Sequence, residues 1–469
     1  MAAKPDEGGS SRLQMDGPSA ELVEQLNDKA SLTSPKSAVI MEVIASERNL
    51  RAAFQEVKEN NGAPGIDRQS VEEVSHRLSE LIPELSKALQ EETYRPGAVR
   101  RVWIPKSGGG QRGLGIPNVV DRMVQQAVYR VMLPFYDPTF HESSHGFRPN
   151  RSCHTAIMEA KKHIEDGYQY VVDIDLEKFF DTVNHARLMS NLRQRLTDEP
   201  VLRLIYRMLK SRTVMPDGVI VANEEGVPQG GPLSPLLSNI VLDELDRELS
   251  KRGHRFVRYA DDCNIYVRSE RAGYRVMESV SRFIERRLRL KVNKAKSAIS
   301  RTGGRHFLGF TLKVDESTSE VQIHLSERTH TRIKEKIREL TPRNWGSSME
   351  KCIKRLNRYL IGWIGFFRIC SEPELTRLMK YDAHIRRRLR AMKLKQWKRK
   401  RIRAVALIKL GIRARTAWRC VYDGKKSLWR LSHAPIVDRA LNNARFALLG
   451  LKSLKRMWEE QHSQITVPC

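Results

Sequence analysis

The spacing of apolar positions changes several times along the first half of the chain, and each change marks an element. From Met41 to about Leu89 the spacing is helical, with one break at Asn60-Asn61-Gly62-Ala63-Pro64-Gly65-Ile66-Asp67, a Gly/Pro-rich loop. Ser70-Val71-Glu72-Glu73 reads as a capping box for the next helix. Residues 94–117 read as a hairpin, Val99-Arg100-Arg101-Val102-Trp103-Ile104 and Gly113-Leu114-Gly115-Ile116-Pro117 flanking a glycine-rich tip. A long helix is predicted from Val120 to Leu133, and helices and short strands alternate to about residue 325. Among those strands are Tyr170-Val171-Val172-Asp173-Ile174 and the pair Arg255-Phe256-Val257-Arg258 and Cys263-Asn264-Ile265-Tyr266-Val267, which brackets Tyr259-Ala260-Asp261-Asp262. Phe307-Leu308-Gly309-Phe310 reads as a further short apolar strand. Residues 328–460 are mainly helical and strongly basic in pattern, and no internal repeat is present. Residues 1–37, rich in Gly, Ser, Pro, Asp and Lys, are expected to be disordered apart from a short helix at 20–26.

Composition narrows the partner. The chain has 469 residues and a formal net charge of +28, enough length for two or three domains and a field that attracts polyanions, nucleic acid first among them. A membrane surface is the rival, but no apolar run approaches the roughly 18 residues of a spanning helix and no signal-peptide pattern opens the chain. Six scattered cysteines (Cys153, Cys263, Cys352, Cys370, Cys420, Cys469) form no Cys-x-x-Cys pair. That argues against a disulfide framework or a zinc module and for a cytosolic protein with reduced thiols.

The chemistry is carried by acids. Asp261 and Asp262 sit on a tight turn, and Asp175 ends a β-branched strand whose period of two puts Asp173 on the same face. Such acids can hold the two metal ions that nucleotidyl transfer needs, one lowering the pKa of a primer hydroxyl and the other screening pyrophosphate. A solvated acidic turn, with Asp173 paired to one of the many arginines, is the plainer reading of the same residues. Gly226-Val227-Pro228-Gln229-Gly230-Gly231-Pro232-Leu233-Ser234-Pro235 has more glycine and proline than a plain turn before a helix requires, and it suits close approach of a nucleotide or template strand. Lys291, Lys294 and Lys296 lie beside a strand, where a lysine near pyrophosphate could act as a general acid or simply face solvent.

The order Asp175-Leu176-Glu177-Lys178-Phe179-Phe180-Asp181, Pro228-Gln229-Gly230-Gly231-Pro232-Leu233-Ser234-Pro235, Tyr259-Ala260-Asp261-Asp262 and Phe307-Leu308-Gly309-Phe310 resembles the palm of reverse transcriptases. More narrowly it resembles bacterial group II intron-encoded reverse transcriptase–maturases of the compact class C type. Gly62-Ala63-Pro64-Gly65-Ile66-Asp67, Ile104-Pro105-Lys106, Leu114-Gly115-Ile116-Pro117 and His145-Gly146-Phe147-Arg148-Pro149 extend the resemblance, which runs from about Glu47 to about Leu454. It implies an α+β right-hand polymerase with an antiparallel palm sheet: an N-terminal extension, fingers and palm over 38–325, a helical thumb or maturase domain over 326–410 and a small basic DNA-binding domain over 411–469.

The resemblance also implies roles. Asp175 and Asp261 would ligate two Mg²⁺ ions with Asp262 in support. Phe180 would sit under the incoming sugar and exclude a 2′-hydroxyl, or else be an ordinary core ring. Gln229 would touch the incoming nucleotide, Lys106 and Arg112 would grip its triphosphate, and Lys296 is the lysine that best fits the family pattern. His185, in Asn184-His185, is expected to be structural. In the thumb, Asn357-Arg358-Tyr359-Leu360-Ile361-Gly362-Trp363 resembles the maturase signature, with Arg358 and Arg368 within reach of phosphate. The basic run with Arg386, Arg387, Arg388, Lys398, Arg399, Lys400 and Arg401 lacks local acidic partners, and about six neutralised phosphates would give a salt slope near −5.

The expected partners are group II intron RNA, an RNA template with a DNA primer, target DNA and deoxynucleoside triphosphates, in a bacterial cytoplasmic ribonucleoprotein. The clustered cysteines and histidines of a C-terminal endonuclease are absent from this sequence, so a free 3′ end elsewhere is expected to prime. A splicing-only maturase and a reverse transcriptase recruited to phage defence are the competing readings. The intact acids count against the first, and the maturase-like thumb and basic C-terminal region against the second. Oligomeric state is not legible.

Overall fold

The structure, a computed structural model, describes residues 40–105, 109–342, 346–424 and 427–463. The expected disorder and short helix before residue 38, and Lys106, lie outside the described residues. The chain divides into two compact units, with Arg301 the last residue of one and Thr302 the first of the other.

The first unit opens with α1 (Ile40–Ala45), α2 (Glu47–Glu59), α3 (Val71–His76) and α4 (Leu78–Gln90). Helix α2 buries Leu50, Ala53, Phe54 and Val57 along one stripe. Both bonds of the Ser70–Glu73 capping box form at the start of α3, a feature worth about 1 kcal/mol. Strands β1 (Val99–Pro105) and β2 (Gln111–Ile116) make the expected antiparallel hairpin, in register Ile104 with Arg112. Helix α5 (Val119–Tyr136) is buried nearly all round.

The central sheet is built from β3 (Tyr170–Ile174), β6 (Arg255–Tyr259), β7 (Asp262–Val267) and β8 (Ala298–Arg301), in the order β6-β7-β3-β8 and antiparallel throughout. Every residue of β7 after Asp262 is buried, as a strand covered on both faces must be. Two short strands, β4 (Thr213–Val214) and β5 (Ile220–Val221), complete a second sheet in the order β2-β1-β4-β5, with β1 and β4 parallel. Five helices lie between these strands in sequence: α6 (Cys153–Glu165), α7 (Phe179–Thr182), α8 (His185–Arg193), α9 (Glu199–Leu209) and α10 (Ser234–Lys251). Another, α11 (Glu270–Phe283), packs on β3, β7 and β8, while α6 and α10 pack on β6.

The second unit begins with the hairpin β9 (Phe310–Val314) and β10 (Val321–Leu325). The sequence reading kept this hairpin with the palm. Among the described residues its strands pair only with each other, and Phe310 packs on Phe366 and Phe367 of the helical region that follows, so it belongs with the helices. Phe307-Leu308-Gly309-Phe310 is not a strand either. Leu308 and Gly309 both take positive φ (53° and 88°) and fold the segment into a turn closed by bonds between Phe307 and Phe310 in both directions. Helices α12 (Glu327–Leu340), α13 (Met349–Phe367) and α14 (Leu375–Gln396) follow, then six shorter ones: α15 (Lys400–Lys409), α16 (Ala414–Tyr422), α17 (Leu428–Leu431), α18 (Pro435–Ala440), α19 (Asn443–Leu448) and α20 (Leu454–Ser463). The expected α+β class, with an antiparallel central sheet and a helical C-terminal region, is observed.

Candidate active site

The β6–β7 hairpin closes on Ala260 and Asp261, between paired Tyr259 and Asp262, with Ala260 in the left-handed region at φ 57°. In the neighbouring pair β3–β7, Ile174 faces Cys263. One further step in that register sets Asp175 opposite Asp262. The Asp175 backbone is pinned: its N–H donates to Ser297 Oγ at 3.0 Å, and its carbonyl accepts from Asn293 N at 2.8 Å. The same short segment delivers Lys296, whose Nζ lies 3.8 Å from Asp175 Oδ2.

These groups lie close enough to perturb one another's protonation. Partial desolvation and then the charges of Asp261, Asp173 and Asp175 push the Asp262 carboxyl up to about 7, with Lys296 opposing. Asp262 is open to solvent on one side, so the charge coupling is the more informative cause. Burial and Asp175 also raise Asp261, while Asp261's own backbone N–H, Arg112 and Arg258 pull it down. The predicted Asp175, Asp261, Asp262, Lys296 and Arg112 thus share one field.

Among the described residues, no three His, Cys, Asp or Glu side chains are gathered tightly enough to hold an ion by themselves. Protein carboxylates are only part of a shell that phosphate and water oxygens complete. The all-oxygen donor set and the surplus of negative charge fit a hard divalent cation.

The turn rests on a buried support that the sequence reading did not identify. Arg258 is fully buried. Its guanidinium bonds Asp246, also fully buried, in a fork, with Nε to Oδ1 at 2.7 Å. It also bonds Asn239 Oδ1 at 3.0 Å, Ser144 Oγ at 2.7 Å and the carbonyl of Ala260, in the turn itself, at 2.9 Å. Asn239 in turn donates to the Gly146 carbonyl at 2.9 Å. A Cβ on Gly146 would stand 2.2 Å from Ala260 N, so only glycine lets this segment run against the turn. Below it, His145 bonds Glu159 at 2.6 Å and Thr155 at 2.8 Å. Burial alone would raise Glu159, but bonds from His145, His163 and Ser143 outweigh it and hold it at about 2. The available signal was Arg258 itself, a charge two residues from buried Phe256 on the same face of an apolar strand.

The glycine-rich loop docks beside these elements. Gly115 N of β2 donates to the Gln229 carbonyl at 2.7 Å, and Val227 N donates to the Phe180 carbonyl at 2.6 Å. Phe179 takes the core position, while Phe180 stays half-buried with its ring edge-on to Phe179 at 5.2 Å. Arg112 is exposed on β2. His185 is structural, its Nε2 lying 2.7 Å from the Gly226 carbonyl.

In the second unit the basic run divides. Arg387 lies 4.0 Å over the Trp429 ring, and Arg388 donates to the carbonyls of Arg338 and Thr341 at the end of α12, at 3.1 and 2.9 Å. Arg390 is buried and paired with Asp438. Arg386 is half-buried, whereas Lys398, Arg399, Lys400, Arg401 and Arg358 are exposed.

An antiparallel sheet whose central strand and hairpin turn end in acids, in a chain of this charge, defines the class of nucleic-acid polymerases. Residues 104–312 match the family described as Reverse transcriptase (RNA-dependent DNA polymerase), and residues 330–410 match the Group II intron, maturase-specific domain. Protein YkfC of Escherichia coli K12 is 34% identical over 288 residues, 53% of this chain and 75% of that protein. Group II intron-encoded protein LtrA of Lactococcus lactis subsp. cremoris is 28% identical over 333 residues, 56% of this chain and 55% of that one. A chain of a solved Partial Cas6-RT-Cas1–Cas2 complex is 25% identical, with a TM-score of 0.35, and the match covers 53% of this chain and 43% of that one. The chain belongs to the reverse transcriptase (RNA-dependent DNA polymerase) family, in the group II intron-encoded branch that carries a maturase-specific domain. It spans three quarters of the first relative and about half of the second.

Proposed function

We propose that this chain is the RNA-directed DNA polymerase of a mobile group II intron and that it also assists splicing of that intron as a maturase. The observation that carries the reading is the β3–β7 register, which sets Asp175 across from the Asp261–Asp262 turn within one shared field. Asp175, Asp261 and Asp262 are the residues that would hold two Mg²⁺ ions. When bound, such ions lower the pKa of the primer 3′-hydroxyl and screen the departing pyrophosphate.

The chain's own residues do the rest. Lys106 and Arg112 hold the triphosphate, Arg as a fork and Lys as a point charge. Gln229 orients the incoming nucleotide. The half-exposed Phe180 lies under its sugar, where a 2′-hydroxyl would clash. Lys296 protonates the departing pyrophosphate, a role that its Nζ, 3.8 Å from Asp175 Oδ2, supports. Intron RNA and the RNA template with its DNA primer lie along basic surfaces that include Arg358, Arg386 and Lys398–Arg401, and residues 411–469 contact target DNA. The setting is the bacterial cytoplasm, as a ribonucleoprotein.

Primer extension on an RNA template with deoxynucleotides and Mg²⁺ tests the site. Asp261→Asn should abolish cDNA synthesis and leave RNA binding intact. Full polymerisation by that variant refutes the assignment.

A further inference from the structure

The second unit contains a cavity of about 570 Å³ between α12 and α14 that the polymerase chemistry does not use. Helix α12 lines it with His330, Lys334 and Arg338, each four residues after the last. Helix α14 faces these with Arg377, Lys380 and His384, at intervals of three and four. Both spacings put the side chains on one face of their helix, so the cavity lies between two matched basic stripes.

Three of these cations have no acidic partner. Among the described residues no acidic side chain pairs with Lys334, Arg338 or Lys380. Glu327, at one end, is the only acid in the lining; Arg377 lies 3.4 Å from it and 3.8 Å from the buried Glu374 behind, which also lies 3.7 Å from His330. His384 Nε2 is buried without a hydrogen-bond partner. Burial and then the charges of Arg388, Arg338, Arg387 and Lys334 hold His384 below its ordinary pKa, as expected beside an excess of positive charge. Lys334, Arg338 and Lys380, which have no acid between them, repel one another, and an anion seated there relieves that repulsion.

The cavity's extent says which anion. Its volume suits a ligand of nucleotide size rather than a lone phosphate. A second cavity, of about 230 Å³, shares Glu327 and Arg377 with the first, is also lined by Glu374, and carries the cations onward through Arg328, Lys313 and Arg305. The charge therefore forms a track, as a strand's repeating phosphates require, and not a closed pocket for one small molecule. Apart from Glu327, the first cavity's lining falls within residues 330–410, the part that matches the maturase-specific domain.

We propose that the groove between α12 and α14 seats the phosphodiester backbone of an RNA strand, with Lys334, Arg338 and Lys380 contacting successive phosphates. This rests on the reading that the chain binds intron RNA, and it assigns part of that binding to one place. The test is titration of a fluorescein-labelled RNA oligonucleotide into the full chain over a range of salt, without divalent cation. Lys334→Gln/Lys380→Gln should weaken binding about 10-fold or more at moderate salt and flatten the salt slope by about 1.5 to 2. Lys87→Gln/Lys251→Gln, an equal charge change at exposed positions of the first unit, should leave the slope unchanged. Thermal melts confirm that both variants fold.

Equal losses in the two variants would mean a diffuse field and overturn the proposal, as would no loss in the first. A polyglutamate peptide that displaced the RNA from wild type but not from Lys334→Gln/Lys380→Gln would assign the groove to an acidic protein segment and overturn it as well. If wild type bound no RNA, the maturase reading would fall with the groove. If wild type bound RNA and Lys334→Gln/Lys380→Gln bound it equally well, the groove would fall and the maturase reading would stand.

Discussion

Arg258→Met removes the guanidinium beneath the Asp261 turn while keeping a long apolar side chain. Both Arg258 and Asp246 are fully buried, so the variant strands a carboxylate without its counter-charge. Breaking one side of such a pair costs about 3–5 kcal/mol, a large part of the stability of a typical domain. The bond from Arg258 to the Ala260 carbonyl, 2.9 Å long, is lost as well and contributes about 1.5–3 kcal/mol to fixing the turn. The companion Arg258→Met/Asp246→Leu replaces the pair with apolar groups, which is often close to neutral for stability. Urea unfolding should therefore show the single variant well below wild type and the double variant most of the way back. Primer extension should not follow. With Ala260 unheld, the turn carrying Asp261 and Asp262 is free to shift, and synthesis by the double variant should stay about 10- to 100-fold down. Wild-type synthesis by the double variant would refute the positioning argument and leave Arg258 a purely structural residue. An unaltered urea midpoint in the single variant would refute the energetic one.

Three further outcomes follow from the geometry. Phe180→Val should raise ribonucleotide incorporation about 10-fold or more, read by competition between ribo- and deoxynucleotides; unchanged selectivity would make Phe180 a packing residue. Gln at Lys398, Arg399, Lys400 and Arg401 should lower RNA affinity and flatten the salt slope by about 3 to 4, whereas Arg387→Gln/Arg388→Gln, which loses bonds to carbonyls, should lower stability more than it changes the slope. Glu159→Gln should destabilise the protein at neutral pH by at most about 3 kcal/mol. Because Glu159 is held at about 2 in the fold, the gap between variant and wild type should be full above the unfolded carboxyl pKa and close as pH falls from about 4.5 toward 2, measured by urea midpoints.

The acidic turn was legible because apolar runs of strand length bracket it, and the Ser70 box because its two partners lie within one turn of helix. What stayed hidden depends on residues far apart in sequence. Arg388 is satisfied by carbonyls at the end of α12, and Arg387 lies over the Trp429 ring, so a reading confined to local acidic partners counts both as free charge. Arg258 is explained only once Asp246, Ser144 and Asn239 surround it. The Leu308–Gly309 turn was misread because an apolar run with one glycine also fits a strand, and nothing local shows that a leucine there adopts positive φ.

The central claim is that Asp175 and the Asp261–Asp262 turn act together on one set of cations. Its most direct test is manganese binding, followed by electron paramagnetic resonance, in complexes of the full chain with chain-terminated primer, RNA template and incoming deoxynucleotide. Two ions should bind to wild type, and both Asp175→Asn and Asp261→Asn should lose at least one of them together with primer extension. Wild-type stoichiometry and wild-type synthesis in either variant would contradict the account.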